Sequence, residues 1–393
     1  MTHKKSIQDQ NYEDYWKLTL GLSNIFGNQF IRTLKLIVDH IDSYKLADKT
    51  EKELLNKNKT RLNQKVTHAK ELEDNIFKIY PNSDKTGATT RKQINQYIKL
   101  GFVKPYLQGY CDAAKEYIKP NQKDETLKRL FSDTVYEYSS FNSSRTKKSP
   151  FNQIKFLVQT ILNRDDKKLS SDELIGLMND VKVLKKTYAK ENEIKADKAW
   201  AKNISFKKRK YNQIRYVCNI LSKMSMFEVI GNNLSDTVIT LADENDICFP
   251  EKGNSKRDPY RFSLMRKAVY EESISIYHKK QCWLTGYSGP GLVVSHLYAS
   301  ATALKNYEND AAYDPQNALL LGPGNPDYHV DKYKLTFDKN GNPIFAKTAN
   351  PDFVAEAHKK HYKIDKELMT PERCYYMKKH NECFEKKNRQ KIN

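Results

Sequence analysis

The sequence of 393 residues predicts an α+β protein, with a mostly helical amino-terminal region followed by a smaller region of short strands and helices. In several segments of the amino-terminal half, apolar residues recur near a period of 3.6, which is typical of amphipathic helices. Two short runs rich in apolar and β-branched residues flank a Gly-Asn-Asn turn at residues 231–233, and further short apolar runs lie beyond residue 290.

The charge of the chain indicates a polyanionic partner. Lys and Arg number 68 against 48 Asp and Glu, which gives a formal net charge of +20. Such a surface repels itself, and nucleic acid is the leading candidate for a partner that neutralises it. The alternative interpretation is that a Lys- and Asn-rich composition reflects an AT-biased genome.

The sequence argues against several classes of protein. No apolar run reaches the roughly 20 residues of a membrane span, and the first residues lack the apolar core of a signal peptide. The six Cys form no C-x-x-C pair, so we expect neither a disulfide scaffold nor a paired-cysteine zinc site, and the expected location is a reducing cytoplasm. No glycine-rich phosphate loop is present, so we expect no nucleotide cofactor.

The predicted organisation has four parts. They are a helical amino-terminal region (1–85), a middle region (86–245), a polar linker (246–260) and a carboxyl-terminal domain (261–393). In the first part, helices are expected between about Asp14 and Asn75. In the second part, Thr90 is a plausible N-cap, and Ser170 with Glu173 has the spacing of a capping box.

The middle region ends in a predicted β-hairpin, formed by residues 226–230 and 237–241 after a helix that begins near Tyr211. Helices that end in a hairpin resemble the winged helix-turn-helix arrangement, in which one helix enters the DNA major groove. The alternative is a packed helical domain with a solvated Lys cluster, and the helix that reads bases is not identified. Weak candidates for DNA contact are Lys208, Arg209, Lys210 and Arg215.

The carboxyl-terminal domain contains a strand–strand–helix pattern. An apolar pair predicts a short strand that ends at His296, and Asn317 opens a second apolar strand. Pro326 suits the first turn of a short helix, on which two aspartates four residues apart share one face. One His and two carboxylates in this order place a general base near a hard metal ion.

This pattern resembles the HNH, or ββα-metal, endonuclease family over about Tyr277–Lys386. The matching branch begins Cys-x-x-Thr-Gly, continues to aliphatic-Ser/Ala-His-aliphatic and Asp-Pro-x-Asn, and closes with an Asp-x-x-Phe-Asp helix and a Thr-Phe strand. Here Val330 stands where that helix has Phe. Ser295 stands where many members have Asp or His as a second metal ligand, which leaves the metal's protein ligands open.

The resemblance implies a role for each matching residue. His296 would be the general base that deprotonates water, and its reference pKa near 6.5 suits that role. Asn317 would brace the loop between the two strands. Asp327 corresponds best to the position at which the family's helix carries its metal ligand. His329 is the competing choice, and Asp331 is a further candidate. Oxygen ligands favour Mg²⁺ or Mn²⁺.

The predicted function is sequence-specific cleavage of double-stranded DNA by a type II restriction endonuclease. Recognition first and cleavage second along the chain resembles the layout of restriction enzymes that cut at a displacement from their recognition site. One His and one metal cut one strand, so a duplex break requires a homodimer on DNA or two sequential nicks. A cognate methyltransferase would be a separate protein, and no membrane partner is expected. The alternatives are a homing nuclease, an anti-phage effector nuclease, and a DNA-binding protein with a degenerate nuclease domain.

Overall fold

A computed structural model of the chain has the predicted α+β class, in which helices dominate and the strands form small antiparallel sheets. It divides into two compact units, Met1–Glu244 and Asn245–Asn393. Across the described segments, no helix combines the length and apolarity needed to cross a membrane. The structure describes residues 16–84, 86–178, 186–231, 236–243, 247 and 257–389.

Helices form most of the first unit, and their buried faces are rich in Leu, Ile, Phe and Tyr. In chain order the helices are α1 (Asn28–Ser43), α2 (Glu51–Leu54), α3 (Gln64–Thr67), α4 (Ala69–Ile79), α5 (Ala88–Lys99), α6 (Asp112–Tyr117), α7 (Asp124–Tyr138), α8 (Gln153–Leu162), α9 (Ser171–Leu177), α10 (Glu191–Asn203) and α11 (Phe206–Lys223).

The helix limits near the amino terminus differ from the sequence prediction. Helix α1 begins at Asn28, and the described residues before it, 16–27, are not helical. There the Gln96 side chain accepts hydrogen bonds from the backbone N–H groups of Gly21 and Leu22, both at 2.7 Å. Buried side chains thus satisfy backbone groups that a helix would otherwise pair. Thr90 is not an N-cap, because α5 begins two residues earlier and the Thr90 side chain is buried.

The strands described in the first unit form one antiparallel sheet. They are β1 (Lys168–Ser170), β2 (Phe227–Ile230) and β3 (Val238–Leu241), in the order β1-β3-β2. The predicted hairpin is present as β2 and β3, and Gly231 at its turn has a φ of 115°, which favours glycine. Ser170 and Glu173 form the predicted capping box at the start of α9.

The second unit combines helices with two small antiparallel sheets of two strands each. Its elements are α12 (Pro259–Tyr277), β4 (Val293–His296), α13 (Ser300–Lys305), β5 (Ala318–Leu321), α14 (Asn325–Asp331), β6 (Leu335–Phe337), β7 (Pro343–Phe345), α15 (Pro351–Lys359) and α16 (Pro371–Asn388). Strands β4 and β5 pair antiparallel with His296 opposite Ala318, and β6 pairs antiparallel with β7.

The predicted linker 246–260 overlaps the first turn of α12. Asp258 caps this helix by accepting hydrogen bonds from the backbone N–H groups of Tyr260 and Arg261, and Pro259 occupies the first turn. The helix therefore begins two residues before the predicted domain start at residue 261. Most of the remaining linker lies outside the described residues.

A buried arginine joins the last helix to the centre of the second unit. The Arg373 guanidinium forms a bidentate ion pair with Glu272 of α12, at 3.0 and 2.7 Å. It also donates to the carbonyl oxygens of Ala318, Leu368 and Pro315. Removing this side chain would leave several buried acceptors unpaired, so α16 is an integral part of the fold that carries β5.

Candidate active site

His296 lies at the end of β4, where one of its ring nitrogens is held by the backbone. Its Nε2 lies 3.2 Å from the carbonyl oxygen of Ala312. Because a carbonyl only accepts, this contact requires the proton on Nε2 and leaves the lone pair on Nδ1. No hydrogen-bond partner of Nδ1 occurs among the residues that the structure describes. The imidazole is therefore oriented as a base.

The surroundings of His296 keep the ring neutral. Burial lowers the pKa of His296 to about 4, and the positive charge of Arg257 acts in the same direction. The ring also stacks on Phe262 at a centroid distance of 6.3 Å. The reference pKa near 6.5 expected from sequence is therefore wrong for this environment, and the ring is unprotonated at neutral pH.

Asn317 joins the two sides of the loop that carries His296. Its side-chain oxygen accepts from the backbone N–H of Tyr298 at 2.7 Å, and its amide nitrogen donates to the carbonyl oxygens of Tyr298 and Ala311. Asn317 is fully buried. Since Ala311 adjoins the residue that holds His296, these bonds restrain the loop that positions the imidazole.

Asp327 and Asp331 share one face of α14 and lie beside Ser295 of β4. The Ser295 hydroxyl lies 3.5 Å from an Asp331 carboxylate oxygen, and it also hydrogen bonds to Asp327. Burial raises the pKa of Asp327, and the negative charge of Asp331 raises it further. The three side chains thus form a cluster of oxygen donors with uncompensated negative charge.

His329 does not fit the role of a metal ligand. Its Nδ1 donates to the carbonyl oxygen of Asn325 at 2.7 Å, and its Nε2 accepts from the backbone N–H of Asn350 at 3.0 Å. The side chain is buried against Phe353. With both nitrogens occupied, His329 connects α14 to the segment before α15. The expectation that His329 coordinates a metal is therefore wrong for this geometry.

His296 and the aspartates lie on different sides of β4, because neighbouring residues of a strand point to opposite faces. In the described part of the chain, no hydrogen bond or ion pair joins His296 to Asp327 or Asp331. The candidate base and the acidic pair are therefore separate groups in the part of the chain that the structure describes.

The chemistry of the oxygen cluster fits a small, hard cation. Mg²⁺ is commonly bound by one or two carboxylates, with water completing its octahedral shell. A cation would also relieve the repulsion that raises the pKa of Asp327. In the described ranges, no group of three or more His, Cys, Asp and Glu side chains is arranged to hold a metal. Asp327, Asp331 and the Ser295 hydroxyl are therefore the donors available here.

Helix α11 carries the candidate DNA contacts of the first unit. Lys208, Tyr211, Asn212 and Arg215 are exposed and recur at helical spacing, so they form one face, which we call the α11 face. The Arg215 guanidinium lies 5.7 Å from the centre of the Tyr211 ring.

The other basic residues near the start of α11 differ in the contacts that their side chains make. Lys207 forms an ion pair with Asp172 at 2.6 Å and a hydrogen bond to Ser171, so it belongs to the internal contacts of the unit. Lys210 is half-buried where the helix is locally distorted. Arg209 lies in the helix, and its side chain is outside what the structure describes. Of the weak candidates whose side chains the structure describes, Lys208 and Arg215 are exposed.

The importance of two residues near the site could not be recognised from the sequence. Arg257 lies in a polar stretch that reads as linker, and Arg373 lies in a charged helix. Both matter through contacts with residues distant in sequence, namely Ser300 for Arg257 and Glu272 for Arg373.

No protein-family model matches the chain, and no curated protein is significantly similar to it. Functional interpretation of the site therefore depends on its geometry and chemistry.

Proposed function

We propose that the protein is a sequence-specific, double-strand DNA endonuclease that requires a divalent cation and uses His296 as general base. One observation carries the proposal. His296 has one ring nitrogen fixed by a carbonyl and the other without a hydrogen-bond partner among the described residues, and the adjacent Ser295 contacts an acidic pair. This combination of an oriented base and hard oxygen donors is the chemistry expected of a ββα-metal centre.

His296 would act on the water that attacks phosphorus. Nδ1 accepts the proton, because Nε2 already donates to Ala312. The same carbonyl favours the imidazolium that forms, and the negative charge of a bound phosphate raises the pKa of the ring toward the working range. Asn317 keeps the loop, and with it the ring, in this orientation.

Asp327 and Asp331 would hold the metal ion, with the Ser295 hydroxyl as a neutral neighbour. When bound, Mg²⁺ or Mn²⁺ would supply positive charge at the scissile phosphate. The two carboxylates fix where that charge lies, on the side of β4 opposite the base.

The first unit would supply sequence recognition. The order of elements from α8 through β1, α9, α10, α11, β2 and β3, with the sheet order β1-β3-β2, supports a winged-helix reader. In that arrangement the α11 face would enter the major groove. Asn212 suits adenine and Arg215 suits guanine, because their side chains match the hydrogen-bonding edges of those bases. Lys208 would contact phosphate.

The net charge of +20 favours DNA over a neutral substrate. A single base and a single metal site per chain cut one strand, so duplex cleavage requires two copies or two successive nicks. This combination of recognition and cleavage in one chain supports a type II restriction enzyme.

Cleavage is tested with purified protein, unmethylated plasmid and Mg²⁺ or Mn²⁺, followed by sequencing of the fragment ends. We expect recurrent ends at a fixed position relative to one short sequence. Random ends would contradict sequence specificity. Absence of cleavage at either metal would contradict the nuclease assignment.

Recognition is tested with two neighbouring lysines on α11. Lys208→Ala should weaken plasmid binding and reduce the slope of log affinity against log salt by about 1. Lys207→Ala is the matched control, since this side chain is paired with Asp172. It should reduce stability and leave the slope unchanged. Equal slopes for the wild type and Lys208→Ala would exclude this contact.

A DNA-binding protein without nuclease activity is the second candidate. The observation that favours it is Ser295, a neutral residue beside only two carboxylates. It predicts plasmid binding through α11 with no cleavage in Mg²⁺, Mn²⁺ or Ni²⁺. The same plasmid experiment distinguishes the two functions.

A further inference from the structure

Two tyrosines and a lysine form a cluster on the surface of the second unit, close in sequence to His296. The Lys379 ammonium lies 4.1 Å from the centre of the Tyr298 ring and 5.1 Å from that of the Tyr375 ring. Tyr375 and Lys379 are four residues apart on α16, so they share one face of that helix. Tyr298 belongs to the segment that follows β4. We call Tyr298, Tyr375 and Lys379 the aromatic cluster.

Polar contacts hold the aromatic cluster in place. Glu308 accepts a hydrogen bond from Lys379 at 2.9 Å, and its other carboxylate oxygen accepts one from the Tyr298 hydroxyl at 3.4 Å. The Asn306 side chain donates to the same hydroxyl at 2.9 Å. The backbone of Tyr298 is bonded to the Asn317 side chain. The cluster is therefore arranged before any ligand binds, which lowers the entropy cost of binding.

The charges of the aromatic cluster favour a neutral ligand over a phosphate. The Lys379 ammonium is paired with the Glu308 carboxylate, which would repel a phosphate group. Beside this pair, Tyr375 exposes 57% of its surface. An exposed aromatic ring next to a neutralised cation suits a planar, uncharged group. Nucleobases are such groups, and a base that stacks on an aromatic side chain contributes about 1–3 kcal/mol.

A base can reach the Tyr375 ring only when it is unpaired. Bases within a duplex are stacked on their neighbours, so their faces are free only in a single strand or where the duplex is locally opened. Because Tyr298 lies two residues after His296, a base held by the aromatic cluster would belong to nucleotides close to the one that the site would cut.

We infer that the aromatic cluster binds an unpaired nucleobase of DNA. Tyr375 is the surface on which the base stacks, and Lys379 with Glu308 fixes the position of the rings. This inference deepens the proposed function and rests on DNA as the ligand of the protein. It adds single-stranded or locally opened DNA to what the second unit binds.

The test uses a single-stranded oligonucleotide of about ten nucleotides that contains one 2-aminopurine, a base analogue whose emission is quenched when it stacks on an aromatic ring. Binding is measured in EDTA, so cleavage plays no part. The wild type should bind the oligonucleotide and quench the emission. Tyr375→Ala should weaken binding about 5- to 150-fold and remove the quenching. Tyr375→Phe should keep both, because stacking needs the ring and not the hydroxyl.

Tyr307→Ala is the matched control. Tyr307 precedes Glu308 and exposes 88% of its surface, but in the part of the chain that the structure describes no lysine lies over its ring. This variant should bind and quench like the wild type. Thermal melting of each variant shows that the fold is kept.

The outcomes separate this inference from the nuclease. Unchanged binding and quenching in Tyr375→Ala would overturn it, as would an equal loss in Tyr307→Ala or a loss of quenching in Tyr375→Phe. A wild type that cleaves plasmid without quenching 2-aminopurine would keep the nuclease and remove the base site. Quenching that depends on Tyr375, without cleavage, would keep the base site and remove the nuclease.

Discussion

Two regions of the second unit contain histidines with similarly lowered pKa values and different hydrogen bonding, one half-buried and one buried. At the end of β4, burial lowers the pKa of His296 to about 4; between α14 and α16, burial lowers the pKa of His380 to about 4 as well. His380 lies 3.1 Å from the carbonyl oxygen of Val330 and 2.9 Å from the Thr336 hydroxyl, so both its nitrogens are occupied. Among the described residues, only one ring nitrogen of His296, Nε2, has a hydrogen-bond partner.

The comparison teaches that burial and pKa do not identify a functional histidine. The proposal of His296 instead rests on a ring nitrogen without a partner among the described residues, because a base needs a free lone pair. The same contrast extends to the carboxylates. Around His380 polar groups are paired, whereas Asp327 and Asp331 repel each other beside Ser295. The predictions below separate the two regions.

The largest expected effect is on cleavage by His296→Ala. Loss of a general base lowers the rate about 10²–10⁴-fold, and the variant should retain plasmid binding and change stability by no more than about 1 kcal/mol. Single-turnover cleavage measures the rate, and thermal melting measures the stability. His358→Ala, at an exposed position of α15, is the matched control and should behave as wild type. Retained activity in His296→Ala would refute the assigned base.

The reverse result is expected for His380→Ala. This substitution leaves a cavity and unpaired groups at Val330 and Thr336, which costs about 2–4 kcal/mol of the free energy of unfolding. Below the melting temperature, the cleavage rate per folded molecule should stay near that of wild type. A loss of rate without a loss of stability would show that the region of α16 takes part in chemistry.

The pH dependence of stability should follow His380. The folded pKa is about 4 and the unfolded value is 6.5, so the unfolded state binds more protons between these pH values. The free energy of unfolding therefore falls as pH decreases from 6.5 to 4, by on the order of 3 kcal/mol from this residue. Urea unfolding of the wild type and His380→Gln at pH 7 and pH 4.5 measures it, and equal pH dependence would contradict the assignment.

The smallest expected effect is a gain in stability. The pKa of Asp327 is raised in the folded state, so its ionised form is unfavourable at pH 7. Without metal, Asp327→Asn should therefore stabilise the protein slightly, by less than about 1 kcal/mol. Added Mg²⁺ should raise the melting temperature of the wild type more than that of the variant. A larger Mg²⁺ effect in Asp327→Asn would place the metal elsewhere.

Sequence predicts those elements whose signals are local. The apolar runs of β4 and β5 and the proline of α14 in the second unit, and the capping box of α9 in the first, are each encoded within a few residues, and the structure contains them. The pattern also identified Asn317, whose buried amide has the predicted bracing geometry.

Other features depend on contacts between distant segments and could not be predicted. The occupied nitrogens of His329 involve a backbone group 21 residues away. The place of Arg257 depends on Ser300, which is 43 residues away. Helix limits before residue 100 were missed because one buried glutamine, Gln96, pairs with backbone N–H groups of a non-helical segment, and no local propensity encodes that.

The ion pair of Arg373 with Glu272 joins residues that are 101 positions apart and so constrains when the site can form during synthesis. The carbonyl oxygens of Pro315 and Ala318 gain their hydrogen-bond donor, the Arg373 guanidinium, only after α16 has left the ribosome. A nascent chain that has exposed β4 and α14 would still lack the support that holds them together. The second unit is therefore expected to complete its packing only once α16 is available to pair with α12.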